Sequence, residues 1–227
     1  MTDATVFVVD DDAAIRDSLS LLISLKGLRT AVFASAENFL ETYSPEWRGC
    51  LLTDLQMPGM HGLELQTVLN ERQIALPVVV LTAFGDVTTT RTALKNGAVD
   101  FLEKPVDDDV LIDVLRNAIR IDEERNRAES SRTESLERLG RLTPRERDVL
   151  QYVVAGMQHR DIAQQLQISP RTVEVYKARM MEKLQLRSLA EVVRFGASVF
   201  EAAEPRPDLR QESKPEVREE APSEETH

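Results

Sequence analysis

A single cysteine, Cys50, leaves no partner for an intrachain disulfide and points to a reducing compartment. It falls inside an apolar run, where packing is expected of it and a reactive role is not. Histidine is scarce as well: His61, His159 and His227 are far apart and show none of the spacings of metal ligands, so surface or helix-end roles are expected. No apolar run approaches the roughly 20 residues of a membrane-spanning helix. The N-terminus enters an acidic strand-loop unit without a basic flank and apolar core, so no signal peptide is expected. Basic residues are outnumbered, 28 Lys and Arg against 39 Asp and Glu, and the net charge of −11 taken whole argues against a nucleic-acid partner.

The charge is unevenly placed, and its distribution reverses that inference. Residues 139–200 carry ten Lys and Arg against six Asp and Glu, net +4, while the remainder carries 18 against 33, net −15. Only that segment is fit to meet phosphates. The 227 residues, 42% of them hydrophobic, suffice for two modest domains with a core each.

Short apolar strands alternate with amphipathic helical stretches through the first half, near 4–9, 29–33, 49–53, 77–81 and 98–102. Such alternation predicts an α/β fold, a doubly wound five-stranded parallel sheet covered on both faces. Ligands of open sheets sit beyond the carboxyl ends of the strands. Asp10, Asp11, Asp54, Thr82 and Lys104 all fall at such ends, although they are spread over nearly half the chain. At an effective dielectric near 20, two carboxylates about 5 Å apart repel by roughly 3 kcal/mol, so such a cluster stays ionised only with a cation. Oxygen ligands in a partly open site suggest Mg²⁺.

These are the parts of phosphoryl transfer. A carboxylate nucleophile, for which Asp54 is the candidate, attacks phosphorus; a metal draws charge from the phosphoryl oxygens; Thr82 and Lys104 take the rest. Singly, Asp54 is a loop acid, Thr82 a strand-end residue, Lys104 a surface charge and Phe101 a core aromatic, but the four bland roles are improbable together. Asp12 is expected to cap the following helix, and Met57, Pro58 and Met60 to pack.

VVDDD at 8–12, TDLQMPGMHG at 53–62, LTAFGD at 81–86 and DFLEKP at 100–105 resemble the receiver domain of two-component response regulators, a flavodoxin-like fold, over residues 4 to about 121. The resemblance implies that Asp10, Asp11, Asp54 and the Gln56 backbone carbonyl hold Mg²⁺ and that Asp54 is the phosphoacceptor. It implies that Thr82 and Lys104 bind the phosphoryl group, that Lys104-Pro105 is cis, and that Thr82 and Phe101, here in place of the more frequent Tyr, form the switch. It also implies dimerisation through the fourth helix, predicted near 87–96, and the fifth strand.

Residues 122–135, DEERNRAESSRTES, form a polar connector in which Ala128 is the only apolar residue, so no stable coiled coil is expected. Residues 201–227, rich in Pro, Glu and Arg, are expected to be disordered. Between them, 139–200 reads as four helices. Thr143-Pro144-Arg145-Glu146 is a strong helix start, and Ser169-Pro170 repeats the device. The short turn Gln167-Ile168-Ser169 has the length a helix-turn-helix requires. In the next helix Val173, Met180 and Leu184 share an inner face, while Arg171, Lys177, Arg179 and Lys183 project outward to suit a major groove.

LTPRERDVL at 142–150, AGM at 155–157, DIAQQL at 161–166 and ISPRTVEVYKARMMEKL at 168–184 resemble the LuxR-type DNA-binding domain. By family position, Glu174, Val175 and Ala178 read bases, and Arg171, Tyr176, Lys177, Arg179 and Lys183 meet mostly phosphates, with Thr172 in the same interface. His159 and Tyr176 stand where the family commonly has Asn and His, which affects local contacts and not the class. Together the halves resemble the FixJ family of transcriptional regulators. The expected organisation is a receiver at 1–121, a polar helical linker at 122–138, an all-α four-helix helix-turn-helix domain at 139–200 and an acidic tail at 201–227. The implied protein is a cytoplasmic, phosphorylation-activated transcriptional regulator, not an enzyme beyond its own phosphorylation and dephosphorylation. Its expected partners are a sensor histidine kinase, promoter DNA with paired half-sites, a second copy and RNA polymerase. Two rival readings fit parts of this pattern: an Mg-dependent aspartyl-phosphate phosphohydrolase, and a binding-only adaptor that is never phosphorylated.

Overall fold

The structure is a computed structural model that describes residues 4–83 and 87–200, without the side chains of 87–89. Residues 84–86 of the LTAFGD motif and the tail at 201–227, expected to be disordered, lie outside the described residues. The described chain divides into two compact units, with the boundary between Ser131 and Arg132.

The first unit alternates as its sequence predicts: β1 (Thr5–Val9), α1 (Ala13–Leu25), β2 (Arg29–Phe33), α2 (Ala36–Thr42), β3 (Gly49–Asp54), α3 (Gly62–Glu71), β4 (Val78–Thr82), α4 (Val87–Lys95) and β5 (Asp100–Glu103), followed by α5 (Asp108–Gly140). All neighbouring strands are parallel, in the order β2-β1-β3-β4-β5. This is the flavodoxin-like order, whose switch point lies between β1 and β3. Successive side chains of a strand face opposite ways, so both faces must be covered. Phe7, Val9, Leu51, Val78 and Val80 meet Phe39 of α2, Leu65 and Leu69 of α3 and Ala93 of α4. Val6, Val8, Cys50, Leu52, Val79 and Leu81 meet Ile23 of α1 and Leu111, Leu115 and Ala118 of α5 on the other face. Burial on both faces explains why the strands read as unbroken apolar runs.

Packing on the first unit continues past the apolar stripe of α5. Asp122 is 7% exposed, and its carboxylate accepts the Gly49 N–H at 2.9 Å. Arg125 donates to the Ala75 carbonyl at 2.6 Å. Burial, and secondarily the Asp122 charge, push the Cys50 thiol up to about 12, as suits a thiol that packs and does not react.

The second unit contains α6 (Pro144–Val154), α7 (His159–Leu166), α8 (Pro170–Lys183) and α9 (Leu189–Phe200). Thr143 caps α6 in a box with Glu146, its N–H donating to Glu146 Oε2 at 2.8 Å, and Pro144 takes the first helical position. Gln167 leaves α7 in the left-handed region, and Ser169 caps α8 through the Thr172 N–H at 3.1 Å. Leu150, Ile162, Val173, Met180, Leu184 and Val192 are fully buried in one core. Arg138 also belongs to this packing: its guanidinium lies 5.5 Å over the Phe195 ring and donates to the Leu184 carbonyl at the end of α8.

Candidate functional site

β1 and β3 lie side by side where the strand order reverses, so the residues that end them enter one crevice. Asp10 and Asp54 are buried, 3% and 9% exposed. Lys104, just beyond β5, reaches across to place its ammonium 2.7 Å from Asp54 Oδ1 and 3.0 Å from Asp10 Oδ2. The second oxygen of each carboxylate is held by backbone: Asp10 Oδ1 accepts from Asp12 N–H at 2.9 Å, and Asp54 Oδ2 from Gln56 N–H at 2.7 Å. Burial pulls the Lys104 ammonium down, but the hydrogen bonds and charges of Asp54 and Asp10 outweigh it and hold its pKa above the usual lysine value.

Thr82 ends β4, fully buried, and its carbonyl accepts the Lys104 N–H at 2.7 Å. Phe101 on β5 is half-buried and packs against the core cluster of Phe7 and Leu51. The Lys104-Pro105 peptide is cis. Asp12 caps α1, accepting from Ala14 N–H at 2.8 Å and Ile15 N–H at 3.3 Å. Met57 is buried, 2% exposed, in the packing role expected of it. Gly62 opens α3 against the end of β3, where a Cβ would stand 2.4 Å from the Asp54 carbonyl oxygen, so only glycine lets the two elements close here.

Among the described residues, no three acidic, histidine or cysteine side chains stand together as a ready-made metal cage. Asp10 and Asp54 converge, with Lys104 between them, while Asp11 and Gln56 are exposed alongside. The donors are oxygen throughout, and two carboxylates against one ammonium leave a net negative charge. The residues present therefore fit a hard divalent cation such as Mg²⁺.

On α8 the outward residues sort into two groups. Arg171, Glu174, Val175, Ala178 and Arg179 are exposed, and the first four line one open concavity. Val175, 43% exposed, is a large apolar side chain left facing outward on a basic helix. Thr172, Tyr176, Lys177 and Lys183 are half-buried. Thr172 shares the cap with Ser169, their hydroxyls 2.8 Å apart, and Tyr176 packs against the core. Lys177 Nζ lies 3.3 Å from His159 Nε2 at the start of α7. Lys183 makes an ion pair at 2.7 Å with Glu146, whose carboxylate is 3% exposed. That pair is not legible in the sequence, where Glu146 serves only the cap; a carboxylate already used by its own helix gives no sign of a second partner 37 residues on.

Two family models match the chain: the response regulator receiver domain over residues 6–116, and the bacterial regulatory proteins of the luxR family over 140–196. The transcriptional regulatory protein FixJ of Bradyrhizobium diazoefficiens is 41% identical over 193 residues, 85% of this chain and 94% of the relative. The FixJ of Azorhizobium caulinodans is 46% identical over 189 residues, 83% of this chain and 90% of the relative. Among solved structures, the response regulator StyR matches with a TM-score of 0.78 at 39% identity, over 86% of this chain and 98% of that one. These matches lend no support to the phosphohydrolase reading.

Proposed function

The chain belongs to the FixJ family of two-component response regulators, transcriptional regulators that join a receiver to a LuxR-type DNA-binding domain, and on that premise we propose that Asp54 is its phosphoacceptor. The observation that carries this reading is Lys104, whose ammonium bridges Asp54 and Asp10 at the switch point of the sheet. A sensor histidine kinase donates the phosphoryl group. An Asp54 carboxylate oxygen bonds to phosphorus as the bond to the donor's histidine nitrogen breaks, and that nitrogen keeps the electron pair. Asp10, Asp11, Asp54 and the Gln56 carbonyl would hold Mg²⁺, which when bound would supply charge neutralisation at the phosphoryl oxygens. Lys104 exchanges its contact with Asp54 for one phosphoryl oxygen, and the Thr82 hydroxyl takes another. The phosphoryl group adds about −1.5 to −2 charges at a site already negative, which biases Thr82 and Phe101 toward a second arrangement. The receiver supplies this chemistry for its own phosphorylation and dephosphorylation only.

The output reading is a dimer on paired half-sites of promoter DNA, recruiting RNA polymerase in the cytoplasm and activating transcription. Receiver 1–121, linker 122–138 and DNA-binding domain 139–200 are its parts. Glu174, Val175 and Ala178 face bases, the exposed Val175 suiting a thymine methyl and Glu174 a cytosine amino group. Arg171, Thr172, Tyr176, Lys177, Arg179 and Lys183 frame them toward phosphates. Selection of random-sequence duplexes by the full-length protein, with Mg²⁺ and beryllofluoride as the phosphoryl mimic, tests the whole reading. The expected result is enrichment of paired half-sites by the wild type and none by Asp54→Asn; equal enrichment by both contradicts a phosphorylation switch.

A further inference from the structure

Between Asp54 and α3 the chain makes a loop through Gln56, Met57, Pro58, Gly59, Met60 and His61. Its two ends are fixed locally, Gln56 N–H on Asp54 Oδ2 at 2.7 Å and Gly62 N–H on the Leu55 carbonyl at 3.0 Å. The middle is fixed from elsewhere. Glu37, in the first turn of α2, accepts the Met60 N–H on Oε1 at 2.8 Å, across 23 residues of sequence. Gly59 makes this possible: it sits at φ +79°, and a Cβ there would stand 2.7 Å from the same Glu37 oxygen. The carboxylate is itself set in place, because Ser35 caps α2 and the backbone N–H groups of Glu37 and Met60, then the Ser35 hydroxyl, hold its pKa below the usual carboxylate range.

We propose that Glu37 is a positioning residue for the metal and phosphoryl site, its carboxylate holding the loop in the conformation that presents the Gln56 carbonyl to the cation. The proposal rests on the reading of Asp54 as phosphoacceptor and of Gln56 as a ligand. Glu37 touches neither the cation nor the phosphoryl group; it acts through Met60 and Gly59 on a backbone oxygen that has no side chain to steer it. A ligand supplied by a loop carbonyl is only as well placed as the loop, and loss of such an outer partner typically weakens metal binding about tenfold or more.

The test is calorimetric titration of the full-length protein with magnesium chloride, for the wild type, Glu37→Gln, Glu37→Ala and Gly59→Ala, with thermal unfolding in the absence of Mg²⁺ as the check on folding. Glu37→Ala is expected to weaken Mg²⁺ binding about tenfold, and Glu37→Gln, which keeps an acceptor for the Met60 N–H, to restore most of it. Gly59→Ala, which displaces the carboxylate without removing it, is expected to resemble Glu37→Ala and decides the matter if that variant is unfolded. The Mg²⁺ concentration for half-maximal labelling of Asp54 by a small phosphodonor should rise in parallel, with the rate at saturation nearly kept. Mg²⁺ affinity in Glu37→Ala or Gly59→Ala equal to that of the wild type overturns the proposal. A wild type that neither binds Mg²⁺ nor is labelled at Asp54 overturns the underlying site reading instead.

Discussion

Lys183 of α8 closes on the buried carboxylate of Glu146 at 2.7 Å, so the helix proposed to face DNA is tied to α6 of the same unit by a charge pair. The same carboxylate caps α6 by accepting the Thr143 N–H at 2.8 Å. One acidic group thereby fixes both where α6 begins and how α8 lies upon it.

Removing the ammonium while keeping the stem, Lys183→Met, leaves Glu146 buried without its cation. A charged hydrogen bond to a buried carboxylate is worth about 1.5–3 kcal/mol, and the half-exposed lysine argues for the lower end. Thermal unfolding of the DNA-binding domain should shift down accordingly, and the double variant Glu146→Gln with Lys183→Met should recover part of the loss.

The same pair sets an acid limit. Burial pushes the Glu146 carboxyl up, but Lys183 and the Thr143 N–H outweigh it and hold its pKa below the ordinary 4.5. A depressed folded-state pKa contributes stability that is present above the unfolded value and is lost as pH falls through the folded one. Unfolding of the wild type from pH 6 to pH 3 should therefore show a loss beginning below about pH 4.5 that Glu146→Gln lacks.

Occupation of Lys183 by Glu146 also ranks the proposed phosphate contacts. If a dimer makes about eight, log affinity should fall with log salt at a slope near −7. Arg179→Gln should lower the magnitude of that slope by about two for the pair of protomers, and Lys183→Met by less. Fluorescence anisotropy of a bound duplex at several salt concentrations reads both, and a wild-type slope near zero would sink the picture of a phosphate-gripping helix.

Asp122 anchors the middle of α5 on the receiver through the Gly49 N–H. Asp122→Ala leaves a buried N–H unpaired, at a cost of about 1–3 kcal/mol, readable as a lower unfolding midpoint of the receiver. Glu123→Ala, next along the helix, should leave that midpoint within about 0.5 kcal/mol of wild type.

The sheet was legible because strands buried on both faces must read as apolar runs, and the site because each run stops at the residue that enters the crevice. Asp10 and Asp54 declare themselves in this way, and Lys104, which meets both, follows one residue past the end of β5. The capped starts at Thr143 and Ser169 were legible for an equally local reason, since a cap needs only its own next three residues. Asp122, Glu37 and the Glu146–Lys183 pair were not. Each is a polar side chain among polar neighbours, and its partner lies 73, 23 or 37 residues away, a distance over which no periodicity speaks. Asp122 in particular opens the polar stretch of 122–135, where composition suggests solvent and the fold supplies a buried backbone N–H.

The account stands on Asp54. Intact-mass analysis of the full-length protein, after incubation with Mg²⁺ and a small acyl phosphate, should show one phosphoryl group on the wild type, lost on brief exposure to base as an acyl phosphate is, and none on Asp54→Asn. Stoichiometric modification of Asp54→Asn, or a wild type left unmodified at saturating donor and Mg²⁺, would contradict the assignment of the crevice between β1 and β3 as the phosphoacceptor site.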